Sequence, residues 1–294
     1  MKTILTGLLL VVLTSCSHQP LKSQATAHSN DQFDFPIIDA HAHFHSKELN
    51  NYNQPASQIL MEYQDAGVSG AVVHLSESEN FKVEVNRSGK IKWKTCMGIH
   101  PGDLVEKVEK GIRAGRFQCI KIYLGYVPKW ATDSFYRPFY RLAERYKLPV
   151  VFHTGDTYDK NAKVKYADPL QIDEVAVEYP GVNFVIAHLG NPWFQSAAEV
   201  IYKNDNVFAD VSALLLGDVS EETPENLEEL VIKPIKWIYA YVNNPKKFMF
   251  GSDWPLVKVK PYLELMKLTI PEKDWKGFFG GNAQRVFRFE EKNN

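Results

Sequence analysis

Residues 36–44 read Pro36-Ile37-Ile38-Asp39-Ala40-His41-Ala42-His43-Phe44, two β-branched residues running into an alternation of polar and small side chains. A period of two marks a β-strand, because successive Cβ atoms leave opposite faces of the backbone. Read this way, Asp39, His41 and His43 share one face and the alanines share the other. Two imidazoles converging on one face are costly to bury without a partner. A divalent cation is the usual partner, with Asp39 set deeper to orient a ligating histidine.

Outward from this strand, short apolar runs recur at Val68 to Ser76, Ile91 to His100, Phe117 to Gly125, Leu148 to Gly155, Val182 to Gly190, Val207 to Leu214 and Lys246 to Pro255. Amphipathic helical stretches lie between most of them: Ser57 to Ala66, Leu104 to Ala114, Arg137 to Lys147, Leu170 to Tyr179, Gln195 to Lys203 and Asn226 to Val242, the last kinked or split at Pro234. Gly67 and Gly115 follow two of these helices as C-cap residues, and Pro180-Gly181 ends a third. Strands alternating with helices imply parallel pairing. Eight of them in one chain predict an α/β fold, a single TIM-type (β/α)8 barrel, since closure leaves no exposed sheet edge. A doubly wound open sheet is the alternative architecture.

A barrel of this kind builds its site at the C-terminal ends of the strands. His41, His43, His74, His100, His153, His188 and Asp253 all fall at or just beyond the C-terminal halves of the expected strands. His153 and His188 end strongly apolar runs, and Asp253 ends the last one. Lys121 lies on the apolar strand Cys119-Ile120-Lys121-Ile122-Tyr123. Thr154, Tyr126 and Asn191 lie near the same rim, as do four candidate substrate contacts, His74, His100, Tyr123 and Trp254.

The His-x-His of strand one, the single histidines ending strands five and six and the aspartate ending strand eight resemble the amidohydrolase superfamily. The segments IIDAHAHF, VVFHTGD, FVIAHLGN, FGSDWP and GGNAQRVF resemble its amidohydrolase-related (amidohydrolase 2) branch, which also contains carboxylic-acid decarboxylases, hydratases and lactonases. The resemblance implies that His41, His43, His153 and Asp253 bind a catalytic divalent metal, with His188 as a catalytic group or a second-metal ligand. Histidines with a carboxylate suit Zn2+, and Mn2+ or Fe2+ accept the same ligand types. Dinuclear members carry a carbamylated lysine on strand four, the position of Lys121, so centres of one and of two metals are both open.

The implied chemistry is attack of a metal-activated water on an amide, ester or lactone bond of a small molecule. Asp253 acts as general base, and the metal with His188 stabilises the developing oxyanion. The same constellation can serve decarboxylation or hydration of a small carboxylic acid. Gly98-Ile99-His100-Pro101 resembles a motif of the TatD-like DNases, which gives a phosphodiesterase alternative. Those nucleases carry a glutamate in the region of Lys121. A non-catalytic binding lipoprotein on the same barrel is a further alternative.

Thirty-four basic against 35 acidic side chains leave a net charge of -1 and no electrostatic footprint for a polyanion, so no nucleic-acid partner is expected. A mean hydropathy of -0.29 excludes a polytopic membrane protein. Three cysteines exclude a disulfide-dense scaffold and a four-cysteine zinc site. Cys96 and Cys119 are read as buried free thiols, because adjacent interior strand positions seldom meet disulfide geometry; a disulfide formed after export is the alternative.

Met1 and Lys2, the apolar run Ile4 to Leu13 and then Leu13-Thr14-Ser15-Cys16 read as a secretory signal peptide over residues 1–15. The last four residues resemble a bacterial lipobox, which implies lipidation of Cys16. Ordinary cleavage near Ser15, with a soluble periplasmic product, is the alternative. Residues 16–35 read as a lipidated cysteine and flexible tether, with His18 and His28 solvated, and residues 36–294 as the barrel domain. The expected location is exported and lipid-anchored to a bacterial membrane, facing the periplasm, with membrane contact only through the lipid. Oligomeric state is not legible.

Overall fold

Eight parallel strands pair in sequence order in the computed structural model, which describes residues 33–43, 56–75 and 91–289. They are β1 (Ile37–His43), β2 (Val68–Leu75), β3 (Lys92–Ile99), β4 (Cys119–Tyr123), β5 (Val150–His153), β6 (Phe184–Ile186), β7 (Val207–Asp210) and β8 (Phe248–Met249). The last strand is short, and its irregular continuation closes the ring. Ala40 N donates to Phe250 O at 2.9 Å, His43 N to Trp254 O at 2.7 Å, and Asp253 N to His41 O at 2.8 Å. The fold is the (β/α)8 barrel, not the open sheet.

The helices surround it: α1 (Ala56–Asp65), α2 (Val105–Arg113), α3 (Arg137–Tyr146), α4 (Ile172–Glu178), α5 (Phe194–Lys203), α6 (Pro224–Leu227), α7 (Lys233–Val242), α8 (Val259–Thr269) and α9 (Asn282–Val286). In α3, Phe139, Tyr140, Leu142 and Ala143 make one buried face at helical spacing, and Lys147 closes the helix in the left-handed conformation. The split expected at Pro234 is realised one turn earlier. A π-turn at Glu228–Ile232 separates α6 from α7, which places Pro234 in a first turn, where its missing N–H costs little. Helix α8 was not among the expected elements. Pro261 reads as a breaker in the sequence but likewise occupies a first turn.

The strands divide the core into two layers. Ile37, Val73, Ile120, Ile122, Phe152 and Phe184 pack outward against the helices. Ile38, Ala40, Val72, Cys96, Cys119, Val151, Phe208 and Met249 fill the barrel interior, floored by Val286, Phe287 and Phe289. Membership of these layers corrects the reading of β1. Between Asp39 and Ala42 the register against β2 slips, with three steps on β1 matching two on β2, from Asp39↔Ala71 to Ala42↔Val73. This β-bulge reverses the alternation. Ile38 and Ala40 face the interior below the bulge, His41 and His43 above it, and Asp39 faces the helices. The carboxylate of Asp39 accepts from Tyr63 Oη of α1 at 2.8 Å.

Two further expectations are corrected. Cys96 and Cys119 form a disulfide: the register sets them directly opposite on β3 and β4, 4.3 Å apart at Cα, with both side chains turned to the interior. Direct opposition on one face supplies the short approach that a bridge needs. The tether also ends before residue 35. Phe33 packs on Phe279 and Trp275 with ring centroids 5.2 and 5.8 Å apart, and Lys267 lies over its face. The signal segment, Cys16, His18 and His28 lie outside the described residues.

Candidate active site

The bulge in β1 delivers His41 and His43 to the C-terminal mouth, where the chain leaving β8 brings Asp253 to meet them. Asp253 Oδ1 lies 3.5 Å from His41 Nε2 and 3.3 Å from His43 Nε2. Donors bonded tetrahedrally to one zinc ion at about 2.0–2.1 Å sit roughly 3.3–3.4 Å apart, so the carboxylate oxygen stands from each imidazole nitrogen at the spacing of two ligands of one cation, and the donor atoms of all three residues lie within 4.8 Å of one another. Asp253 Oδ1 is buried and accepts no hydrogen bond among the described residues. A buried orphan acceptor facing two imidazoles is a cost that a bound cation removes. Asp253 holds φ at 64°, a left-handed conformation. It is kept there by its N–H on His41 O at 2.8 Å and by its carbonyl, which accepts from Leu256 N at 2.9 Å.

A carboxylate not singled out in the sequence organises the other side. Asp210 ends β7, and its Oδ2 accepts from His41 Nδ1 at 3.0 Å. Its Oδ1 accepts from His188 N at 3.2 Å, from Ser212 N at 3.1 Å and from Ser212 Oγ. It is therefore Asp210, and not Asp39, whose carboxylate meets the His41 ring. Asp39, across the strand, instead ties the His41 backbone N at 3.1 Å and Ser252 N at 2.9 Å. Donor atoms of His41, His188 and Asp210 form a second close group beside that of His41, His43 and Asp253.

The remaining sequence candidates sort by distance. His188 lies in the left-handed region at φ 59°, with Nδ1 3.1 Å from Ser212 O and its ring 4.8 Å from that of His41. His153 lies 5.1 Å from His188 by ring centroid, but its Nε2 is 2.9 Å from Asp156 O, and it joins neither donor group. Lys121 is buried with Nζ 3.3 Å from His41 Nε2. The ring of His74 is 4.2 Å from that of His41, and neither of its nitrogens has a partner among the described residues. Tyr123 stands between His43, at 6.4 Å, and His100, which stacks on it at 5.3 Å. Trp254 is not brought in: its indole is buried in the outer core layer, and its backbone closes the barrel.

Burial dominates the electrostatics. It holds His41, His74 and His153 well below the usual imidazole range and lowers His43 to about 3 and His188 to about 4, so all five are neutral near pH 7. Burial raises Asp253 to about 7, with Lys121 opposing, and lowers Lys121 to about 8 against the pull of Asp210 and Asp253. His188 Nδ1 faces Ser212 O at 3.1 Å and Ser212 Oγ at 2.9 Å; the hydroxyl gives its hydrogen to Asp210 Oδ1, so both oxygens accept from Nδ1, and the neutral ring carries its lone pair on Nε2.

A (β/α)8 barrel whose mouth gathers neutral imidazoles and a buried carboxylate defines a class of barrel enzymes. The chain belongs to the amidohydrolase family, whose sequence model matches residues 38–289, and it is an enzyme. A comparison with curated proteins returns no match. Among solved structures, the chain is similar to a probable 2-pyrone-4,6-dicarboxylic acid hydrolase from Acinetobacter baumannii with citric acid bound, at 15% identity and a TM-score of 0.66, covering 86% of this chain and 100% of that one. A putative hydrolase of the same description from Pseudomonas putida matches at 19% and 0.64, covering 88% and 100%. The 5-carboxyvanillate decarboxylase of Sphingomonas paucimobilis matches at 13% and 0.61, covering 86% and 99%. At these identities the likeness is one of fold.

Proposed function

We propose that the protein is a metal-dependent hydrolase acting on an amide, ester or lactone bond of a small molecule. The observation that carries this reading is the buried, unpartnered Asp253 Oδ1, spaced from His41 Nε2 and His43 Nε2 as ligands of one cation are spaced. His41, His43 and Asp253 would hold a divalent ion, with His153 and His188 as further imidazoles of the same lumen. The donor set suits Zn2+ first, and Mn2+ or Fe2+ as well. A bound cation supplies Lewis acidity and lowers the pKa of an attacking water to about 7.

The chain's own residues supply the proton steps. Asp253, with Oδ1 turned to His41 and His43, keeps its second oxygen to take a proton from water and return it to the leaving group. His188, with Nδ1–H engaged on Ser212 O, offers only an Nε2 lone pair, so it serves as a base or a ligand. The oxyanion stabilisation expected of His188 passes to the Lys121 ammonium, which projects beside His41. Carbamylation of Lys121 would instead make it a ligand and support a two-metal centre.

A lyase acting on a small carboxylic acid is the second reading. Lys121 favours it, since a buried ammonium at this depth would grip a substrate carboxylate. Membership of the amidohydrolase family, and Lys121 where TatD-like nucleases carry a glutamate, weigh against phosphodiester cleavage. The deciding experiment loads the purified protein and its Asp253→Asn variant with Zn2+ or Mn2+. Both are assayed on amides, lactones and unsaturated or aromatic carboxylic acids, with hydrolysis and carbon dioxide release scored separately. Bound metal with hydrolysis in wild type alone supports the first reading; no metal uptake sinks both.

We also infer that the chain is exported and anchored through a lipidated Cys16, a residue outside those described. The interior Cys96–Cys119 disulfide supports export, because such bonds persist in oxidising compartments. No helix among the described residues is long and apolar enough to cross a membrane. A Cys16→Ala form should leave the membrane fraction and lose lipid labelling; labelling unchanged from wild type would refute the anchor.

A further inference from the structure

We infer that Asp210 is a positioning residue that fixes the proton of His41 on Nδ1, leaving Nε2, the nitrogen 3.5 Å from Asp253 Oδ1, unprotonated and able to ligate a cation. The consequence for cation binding rests on the hydrolase reading; the tautomer does not.

Each neighbour of the His41 ring limits where its proton can sit. An ionised carboxylate only accepts, so the 3.0 Å contact of Asp210 Oδ2 with His41 Nδ1 requires the hydrogen on Nδ1. At the other end of the ring, Lys121 Nζ lies 3.3 Å from Nε2 and supplies hydrogens, so Nε2 must accept. Asp210 and Lys121 select the same tautomer, and Asp253 Oδ1, 3.5 Å from Nε2, takes no hydrogen bond among the described residues that would favour the other. Asp210 is itself immobilised, because its Oδ1 takes the backbone N–H of His188 beyond β6, and both the N–H and the hydroxyl of Ser212 beyond β7. The carboxylate thus transmits the positions of β6 and β7 to a ring on β1.

A second observation shows that the contact has room made for it. β8 lies between β7 and β1, and the residue it places between Asp210 and His41 is Gly251. A Cβ there would stand 3.1 Å from His41 Cβ, 3.3 Å from Ser212 Cβ and 3.4 Å from Asp210 Cβ. The absent side chain lets carboxylate and imidazole meet across the intervening strand.

The geometry also dictates what an amide would do at this position. In Asp210→Asn, the three donors gathered at Oδ1 claim the carbonyl oxygen, so the NH2 must face His41 Nδ1. Nδ1 then has to accept, and the ring proton moves to Nε2, where it blocks the lone pair.

The test is two-bond 1H–15N correlation spectroscopy on metal-free, 15N-histidine-labelled protein, with the His41 signals assigned by their loss in His41→Asn. Zn2+ affinity is measured in parallel by competition with a chelating dye. Wild type should show protonated Nδ1 and unprotonated Nε2. Asp210→Asn should show the reverse and bind Zn2+ about 10–100-fold more weakly. A merely structural role would lower the unfolding midpoint and leave the tautomer alone.

Wild-type His41 protonated on Nε2 overturns the inference without any variant. So does Asp210→Asn that keeps Nδ1–H, or that binds Zn2+ within twofold of wild type. If wild type takes up no Zn2+, the hydrolase reading fails, and the tautomer alone decides the role of Asp210.

Discussion

Asp253 carries the most chemistry for a single side chain, and its backbone makes it testable. At φ 64° only glycine, asparagine and aspartate sit with little strain, so Asp253→Asn keeps the fold while exchanging the carboxylate for an amide. Turnover should fall by about 10²–10⁴-fold with the unfolding midpoint nearly unchanged; comparable kcat in the two proteins would remove Asp253 from proton transfer. The placement of histidines at strand ends was legible in the sequence, and so was the aspartate after the last strand. Asp210 was not, although the same rule covers it. Within Val207-Phe208-Ala209-Asp210 it is one acid closing a short apolar run, with no polar neighbour at i−2 to mark a polar face. His153 shows the opposite limit: its strand position was legible, but not the Asp156 carbonyl that occupies its Nε2.

Elements were legible where β-branched runs and turn residues agree, and their register was not. Nothing in Asp39-Ala40-His41-Ala42-His43 betrays an extra residue, because the alternation is unbroken. The bulge is decided by pairing with β2 and by the grip of Tyr63 and Ser252 on Asp39. The Cys96–Cys119 bridge was hidden for the same reason, since opposition of two positions 23 residues apart depends on the β3–β4 register. Closing a loop of that length restricts the unfolded chain by about 3.5 kcal/mol. Cys96→Ala/Cys119→Ala should lose stability of about that size in urea unfolding, and wild type treated with reductant in denaturant should refold to the same reduced stability. A variant as stable as the oxidised protein would show that the bridge does not stabilise the fold.

For the molecule as a whole, the buried histidines set the response to acid. His188 is held at about 4 against 6.5 in an unfolded chain, and His41, His43, His74 and His153 are lowered as well. Below pH 6.5 the unfolded chain takes up protons that the folded chain refuses, so stability falls as pH falls toward about 4. Asp39, raised to about 6, and Asp253, raised to about 7, act in the other direction, because as pH falls the folded state takes up their protons at about 6 and 7, before the unfolded chain does near 3.8. Five imidazoles outweigh two carboxylates, each group contributing at most about 1.4 kcal/mol per pH unit. Metal-free protein should therefore lose a few kcal/mol between pH 6.5 and 4.5 in denaturant titrations, and His74→Phe should flatten the slope. A profile that is level or rising toward acid would contradict the neutral state assigned to these rings.

The additional residue in β1 has a mechanical consequence. Asp39 grips the outer helix through Tyr63 and the last turn through Ser252, and two positions later the same strand hands an imidazole to the lumen. The outer helix and the His41 ring thus hang from one short run of backbone, so substitutions that displace Tyr63 act on the strand that holds this imidazole.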